Sequence, residues 1–138
     1  MSNTSPQSKA QAERPLSPHI QVYRWQMTMT MSILHRISGG ALAIGLIAFT
    51  WMLLAAASGP EAWGTFTSVA GSWIGKLALF GWTVAIWYHM GNGIRHLVWD
   101  TGHALDIPHA YRAGYIVWAF TIVMTLLTCW AVYALGKG

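Results

Sequence analysis

Two histidines, an arginine and an aspartate crowd the end of one long apolar stretch. The segment runs Tyr88-His-Met-Gly-Asn-Gly-Ile-Arg-His-Leu-Val-Trp-Asp100 and holds His89, Arg95, His96 and Asp100. Ionisable groups at membrane depth are costly and usually mark function. On a helix, His89 and His96 are seven residues apart, so they share a face and stand about 10 Å apart along the axis. That is too far for one metal ion to take both. It suits a flat, elongated ligand that meets His89 at its centre and Arg95 and His96 at a polar edge. Haem has that form, with an iron that takes imidazole and propionates that pair with cations. Taken alone, Arg95 and His96 are better explained as helix-end side chains reaching for water. That explanation does not cover His89, which lies about three turns inside Asp100.

A second constellation has the spacing i, i+3, i+4: Ser32, His35 and Arg36 form one patch on one helical face. A hydroxyl and a guanidinium there can hydrogen-bond a quinone carbonyl and stabilise charge developing on its oxygen. They can equally hold a haem propionate, and Arg36 by itself is explained by interfacial snorkelling. Ser38, Gly39 and Ala43 follow, small residues that let a flat ligand or another helix approach closely. Counting turns puts His35 near the start of its helix and His89 about 16 Å inside Asp100, so the two are expected at different levels. The last apolar span has no histidine. If His89 ligates iron, a second axial ligand is expected from another chain or not at all.

These residues need apolar helices to carry them. Charged residues make up 9% of the 138, against about 25% in a soluble domain, and 54% are hydrophobic, with nine Trp. The composition indicates an integral membrane protein. Uncharged runs of about 24 residues separate Arg36 from Glu61 and fill Ala113 to Gly136, and one of about 18 lies between Lys76 and Arg95. The reading is an all-α integral membrane fold with three transmembrane helices near Met31–Ala57, Gly75–Trp99 and Gly114–Leu135. Between the first two, Glu61, Trp63, Phe66 and Val69 at helical spacing predict a short interfacial helix. Residues 14–138 are read as one three-helix anchor domain. Residues 1–13, rich in Ser, Gln, Asn and Ala, are predicted to be disordered. From Arg14 to Trp25, Pro15 and Pro18 oppose helix, and Ile20 and Val22 alternate with polar residues, so an extended N-terminal arm is expected. It is either a surface arm or one that docks a soluble partner.

Six of the eight basic residues, Lys9, Arg14, Arg24, Arg36, Arg95 and Arg112, fall on one side of these spans, and Lys76 and Lys137 on the other. The positive-inside rule then places the N-terminus, with the extended arm, in the cytoplasm. The N-terminus lacks the apolar core of a signal peptide and is too poor in Arg for a mitochondrial transit peptide, which points to a bacterial cytoplasmic (inner) membrane. The basic residues form no stripe that would suit nucleic acid. Cys129 stands alone, which excludes an intrachain disulfide. There is no Cys/His zinc spacing, Gly-rich phosphate loop or internal repeat.

Three motifs, in order along the chain, resemble the cytochrome b membrane-anchor subunit of succinate dehydrogenase, respiratory complex II. They are Arg14-Pro-Leu-Ser-Pro-His19 with Tyr23; Ser32-Ile-Leu-His-Arg36 with Ser38-Gly39; and His89-x-x-x-Gly93-Ile-Arg-His-Leu97 with Asp100 and Gly102. The resemblance implies that His89 is an axial ligand of haem b, and that Ser32 and Arg36 help form the ubiquinone site with Ile33 on its wall. It implies that His35, Arg36 and His96 lie near the haem propionates, beside Arg95. It also implies a flavoprotein subunit that holds the succinate site, an iron–sulfur subunit, and a second, smaller membrane anchor supplying the other axial histidine. This chain would then be a non-succinate-binding subunit of succinate:ubiquinone oxidoreductase. Alternatives are the anchor of a fumarate reductase, since the residues do not fix direction, or a haem-free structural anchor. A di-haem quinol-oxidase anchor needs ligands at two depths, and the chain has only one deep histidine.

Overall fold

A computed structural model describes residues 25–103 and 106–136. The expected disordered N-terminus and all of the extended arm before Trp25 lie outside the described residues. Among the described residues there are four helices: α1 (Met27–Ser58), α2 (Pro60–Gly71), α3 (Trp73–Asp100) and α4 (Ile107–Leu135). No strand occurs among the described residues.

The helix ends follow from local chemistry. α1 stops at Gly59, whose φ of 109° is open to glycine, and Pro60 then opens α2, where its missing N–H costs nothing. Ser72 breaks the chain between α2 and α3, and its Oγ accepts from Gly75 N at 3.1 Å to cap α3. α4 begins at Ile107, a full two turns before the expected Gly114, because Pro108 falls in the first turn, where proline is tolerated. Asp106 precedes that turn, and His109 Nδ1 donates to its carboxylate at 2.7 Å. This hydrogen bond holds the Asp106 carboxyl below its ordinary pKa. α1 likewise starts one turn earlier than expected, at Met27. The segment expected to form a short helix is α2.

α1 and α4 are each long and apolar enough to cross a bilayer. α3 reaches that measure only together with α2, from which it bends by 77°. The difference lies in composition: α3 carries Lys76, His89, Arg95, His96 and Asp100.

α3 packs against all three other helices, and α1 also touches α4. The interior is small. Met31, Tyr88 and Val117 form its centre, with Met27 and Leu34 against them. Tyr88 donates its hydroxyl to Met31 O at 2.9 Å, tying α3 to α1, and Trp87 Nε1 donates to Thr128 Oγ1 at 3.0 Å, tying α3 to α4. Long apolar side chains point outward instead, as with Ile44 and Ile47, each 72% exposed. Such a surface is a liability in water and ordinary against lipid.

Candidate functional site

α1 and α3 run antiparallel, with the pairs Met31–Tyr88, Ser38–His89 and Gly45–Trp82 along their contact. Small residues let the two backbones approach. A Cβ at Gly45 would run into the Trp82 indole, and one at Gly39 would lie 3.2 Å from His89 Cε1. Within this close contact His35 stacks on His89, with ring centroids 4.0 Å apart and planes 14° apart. On the other side it stacks on His96 at 5.3 Å and 17°. Three imidazoles from two helices therefore form one column.

This overturns the expectation that His35 and His89 lie at different levels. Counting turns from Arg36 and Asp100 treats the two helix ends as flush, whereas the helices are staggered so that the ninth residue of α1 meets the middle of α3. The rings lie face to face, so their nitrogens do not oppose each other across a single ion.

Hydrogen bonds fix which nitrogens are free. His89 Nδ1 lies 3.2 Å from His35 O and 3.1 Å from Ser38 Oγ. A carbonyl can only accept, so Nδ1 carries the proton and the His89 Nε2 lone pair is left open. His96 repeats the pattern, with Nδ1 donating to Asn92 O at 2.8 Å. His35 Nδ1 is buried without a hydrogen-bond partner.

The other expected residues divide. Ser32 is half-buried, while Ile33 and Arg36 lie on the exposed face of α1, and no hydrogen bond occupies Ser32 or Arg36 among the described residues. His35 turns inward to α3 and Arg36, the next residue round the helix, turns outward. Arg95 does not join the histidines. It is 5% exposed and turns to α4, donating through Nη1 to Asn92 Oδ1 at 3.3 Å and through Nη2 to Ala110 O at 3.0 Å. Its Cζ sits 4.0 Å from the Trp99 ring centroid. Arg95, expected at a haem edge, thus has its two Nη atoms turned to Asn92 and to the first turns of α4, while its Nε is buried without a hydrogen-bond partner.

Two contributors were not singled out in sequence. Ser38 registers there as a small residue and as part of a motif, with no role given to its hydroxyl, although its place three residues after His35 puts it on the same face. Asn92, fully buried, lies four residues before His96 and three before Arg95, and it serves both.

An apolar groove of about 550 Å³ opens elsewhere, between α1, α2 and α3, lined by Ala48, Phe66, Val69, Ala78 and Trp82 among others. It has almost no polar group to orient a ligand and stands apart from the histidine column.

The family described as succinate dehydrogenase/fumarate reductase transmembrane subunit matches residues 10–128. A succinate dehydrogenase cytochrome b556 subunit of Paracoccus denitrificans is 42% identical over 115 residues, covering 83% of this chain and 88% of that one. A succinate dehydrogenase cytochrome b560 subunit of Reclinomonas americana is 38% identical over 125 residues, covering 87% and 86%. The mitochondrial cytochrome b560 subunit of Homo sapiens is 37% identical over 117 residues, covering 83% and 69%.

Proposed function

As the chain belongs to the succinate dehydrogenase/fumarate reductase transmembrane subunit family, we propose that it is the cytochrome b anchor of a succinate:ubiquinone oxidoreductase. In this reading it shares haem b with a second, smaller anchor and helps form the ubiquinone-reduction site. The observation that carries the reading is the state of His89: its Nδ1–H is held by His35 O, leaving Nε2 as an open imidazole donor inside an apolar bundle. Metal-bound histidines characteristically donate their other ring N–H to a carbonyl in this way.

The surrounding residues fit a haem. A Cβ at Gly93 would meet nothing within 4 Å, which leaves space beside the column. The buried, unpartnered His35 Nδ1 and the Arg36 guanidinium can each donate to a carboxylate, and His96 can do so through Nε2 when that nitrogen also carries a proton. His89 Nε2 would hold the iron, and His35, His96 and Arg36 the propionates. When bound, the haem supplies a one-electron redox centre. Its second axial histidine is assigned to the partner anchor, because α4 offers only His109, exposed in the first turn.

Ser32, Ile33 and Arg36 are assigned to ubiquinone. A quinone approaches from lipid, and its carbonyl oxygens gain charge as two electrons and two protons convert it to the quinol. The Arg36 guanidinium stabilises that charge, the Ser32 hydroxyl orients the ring, and Ile33 packs on it. In this reading α1, α3 and α4 each cross the inner membrane of a bacterium, α2 lies along the far interface, and the N-terminus faces the cytoplasm. Electrons come from succinate through the flavoprotein and iron–sulfur subunits on that side. Arg36→Leu and Ser32→Ala in the assembled complex test the assignment. Succinate:ubiquinone activity should fall at least tenfold, while succinate oxidation by a dye that bypasses the membrane site persists. If both activities fall together in an assembled complex, or neither falls, the quinone assignment is wrong.

A further inference from the structure

We infer that Ser38 is a positioning residue for His89: it fixes the tautomer and the direction in which the imidazole presents Nε2. The inference rests on the haem reading above. Ser38 is 6% exposed, and its hydroxyl hydrogen is already committed, because Oγ donates to His35 O at 2.8 Å. Toward His89 Nδ1, 3.1 Å away, the oxygen can therefore only accept. A free serine hydroxyl can do either, and by donating to Nδ1 it would hold the opposite tautomer and put the proton on Nε2. The His35 carbonyl, 3.2 Å from the same Nδ1, is the second acceptor of the pair. Thus one turn of α1 closes a three-membered set: hydroxyl to carbonyl, imidazole N–H to both. Gly39, next in the chain, leaves the ring its space, since a Cβ there would lie 3.2 Å from His89 Cε1.

The set has an electronic consequence as well as a steric one. An acceptor on Nδ1–H makes the imidazole a stronger donor at Nε2, which favours the more positive, oxidised metal. Removing Ser38 Oγ leaves the His35 carbonyl as the sole acceptor and frees the ring to rotate. Ser38→Ala in the assembled complex should keep its haem content. It should lose about threefold of its preference for the oxidised haem, a rise in midpoint potential of about 28 mV at 59 mV per tenfold for one electron. Its low-spin paramagnetic resonance signal should broaden as the imidazole plane loses its fixed orientation. Ser38→Thr, which restores the hydroxyl, should return both readouts toward wild type. A purely structural role would lower melting temperature and leave both unmoved. Should Ser38→Ala fail to assemble, Ser38→Cys keeps the size with a weaker acceptor and should shift both readouts the same way. A wild-type potential and signal in an assembled Ala or Cys variant overturns the proposal. Failure of the haem reading itself is separate: it would appear as an unchanged spectrum in His89→Ala.

Discussion

Replacing Gly45 with alanine should damage the histidine column two turns away without touching any of its residues. Gly45 lies seven residues after Ser38 on the same face of α1, about 10 Å along the axis, where the Trp82 indole fills the space of a side chain. A methyl there overlaps the indole, so α1 and α3 must separate unless the Trp82 ring swings into the groove it lines. Overfilling a closed contact of this kind costs about 1–3 kcal/mol, a roughly 5- to 150-fold shift toward the opened arrangement. Separation parts more than the Ser38–His89 bond at 3.1 Å: it also pulls His35 off the His89 ring, 4.0 Å away, and so opens the whole column rather than one contact within it. The expected outcome is an assembled complex with a lower melting temperature and reduced haem by pyridine haemochrome. Adding Trp82→Leu trims the indole and should recover part of both losses, a coupling of about 0.5–3 kcal/mol between touching residues. Gly45→Ala with wild-type melting temperature and haem content would refute the close α1–α3 contact as the support of the site.

Arg95→Met should destabilise the complex while leaving the haem spectrum in place, because it removes a charged hydrogen bond to Ala110 O on α4 together with the Asn92 bond and Trp99 ring contact that aim the guanidinium from within α3; loss of the spectrum with unchanged stability would put Arg95 at the haem edge. Tyr88→Phe should cost about 0.5–1.5 kcal/mol in unfolding measurements, since only the bond to Met31 O is lost and that carbonyl keeps its place in the helical ladder. At the start of α4, the lowered Asp106 pKa contributes stability that is present above the ordinary value of 3.8 and lost as pH falls through the lower folded value. Amide exchange in the first turn of α4 should therefore quicken in that acid range, and Asp106→Asn should abolish the pH dependence.

Much of the helical plan was legible because charge is so scarce. Uncharged runs mark α1, α3 and α4, and the Gly59-Pro60 step with Trp63, Phe66 and Val69 marks α2. The beginning of α4 was placed too late because the uncharged run starts only after Arg112, whereas Pro108 suits a first turn and the cation lies in a helix extending past the apolar run. The side-chain column was less legible. Spacing puts His35 and Ser38 on one face of α1 and His89 and His96 on one face of α3, but says nothing of the stagger between helices. That stagger is set by Gly39, Gly45 and the Tyr88–Met31 bond, all contacts between distant residues. Arg95 and His96 are adjacent in sequence yet about 100° apart round the helix, which is why one serves α4 and the other the column.

The central claim is that His89 presents Nε2 to a haem iron. The most direct measurement is the reduced-minus-oxidised optical spectrum of the purified complex carrying His89→Ala, beside wild type. The wild-type complex should show a low-spin b-type haem, and the variant should lose that haem or convert it to another spin state. A variant with wild-type spectrum and haem content would contradict the account.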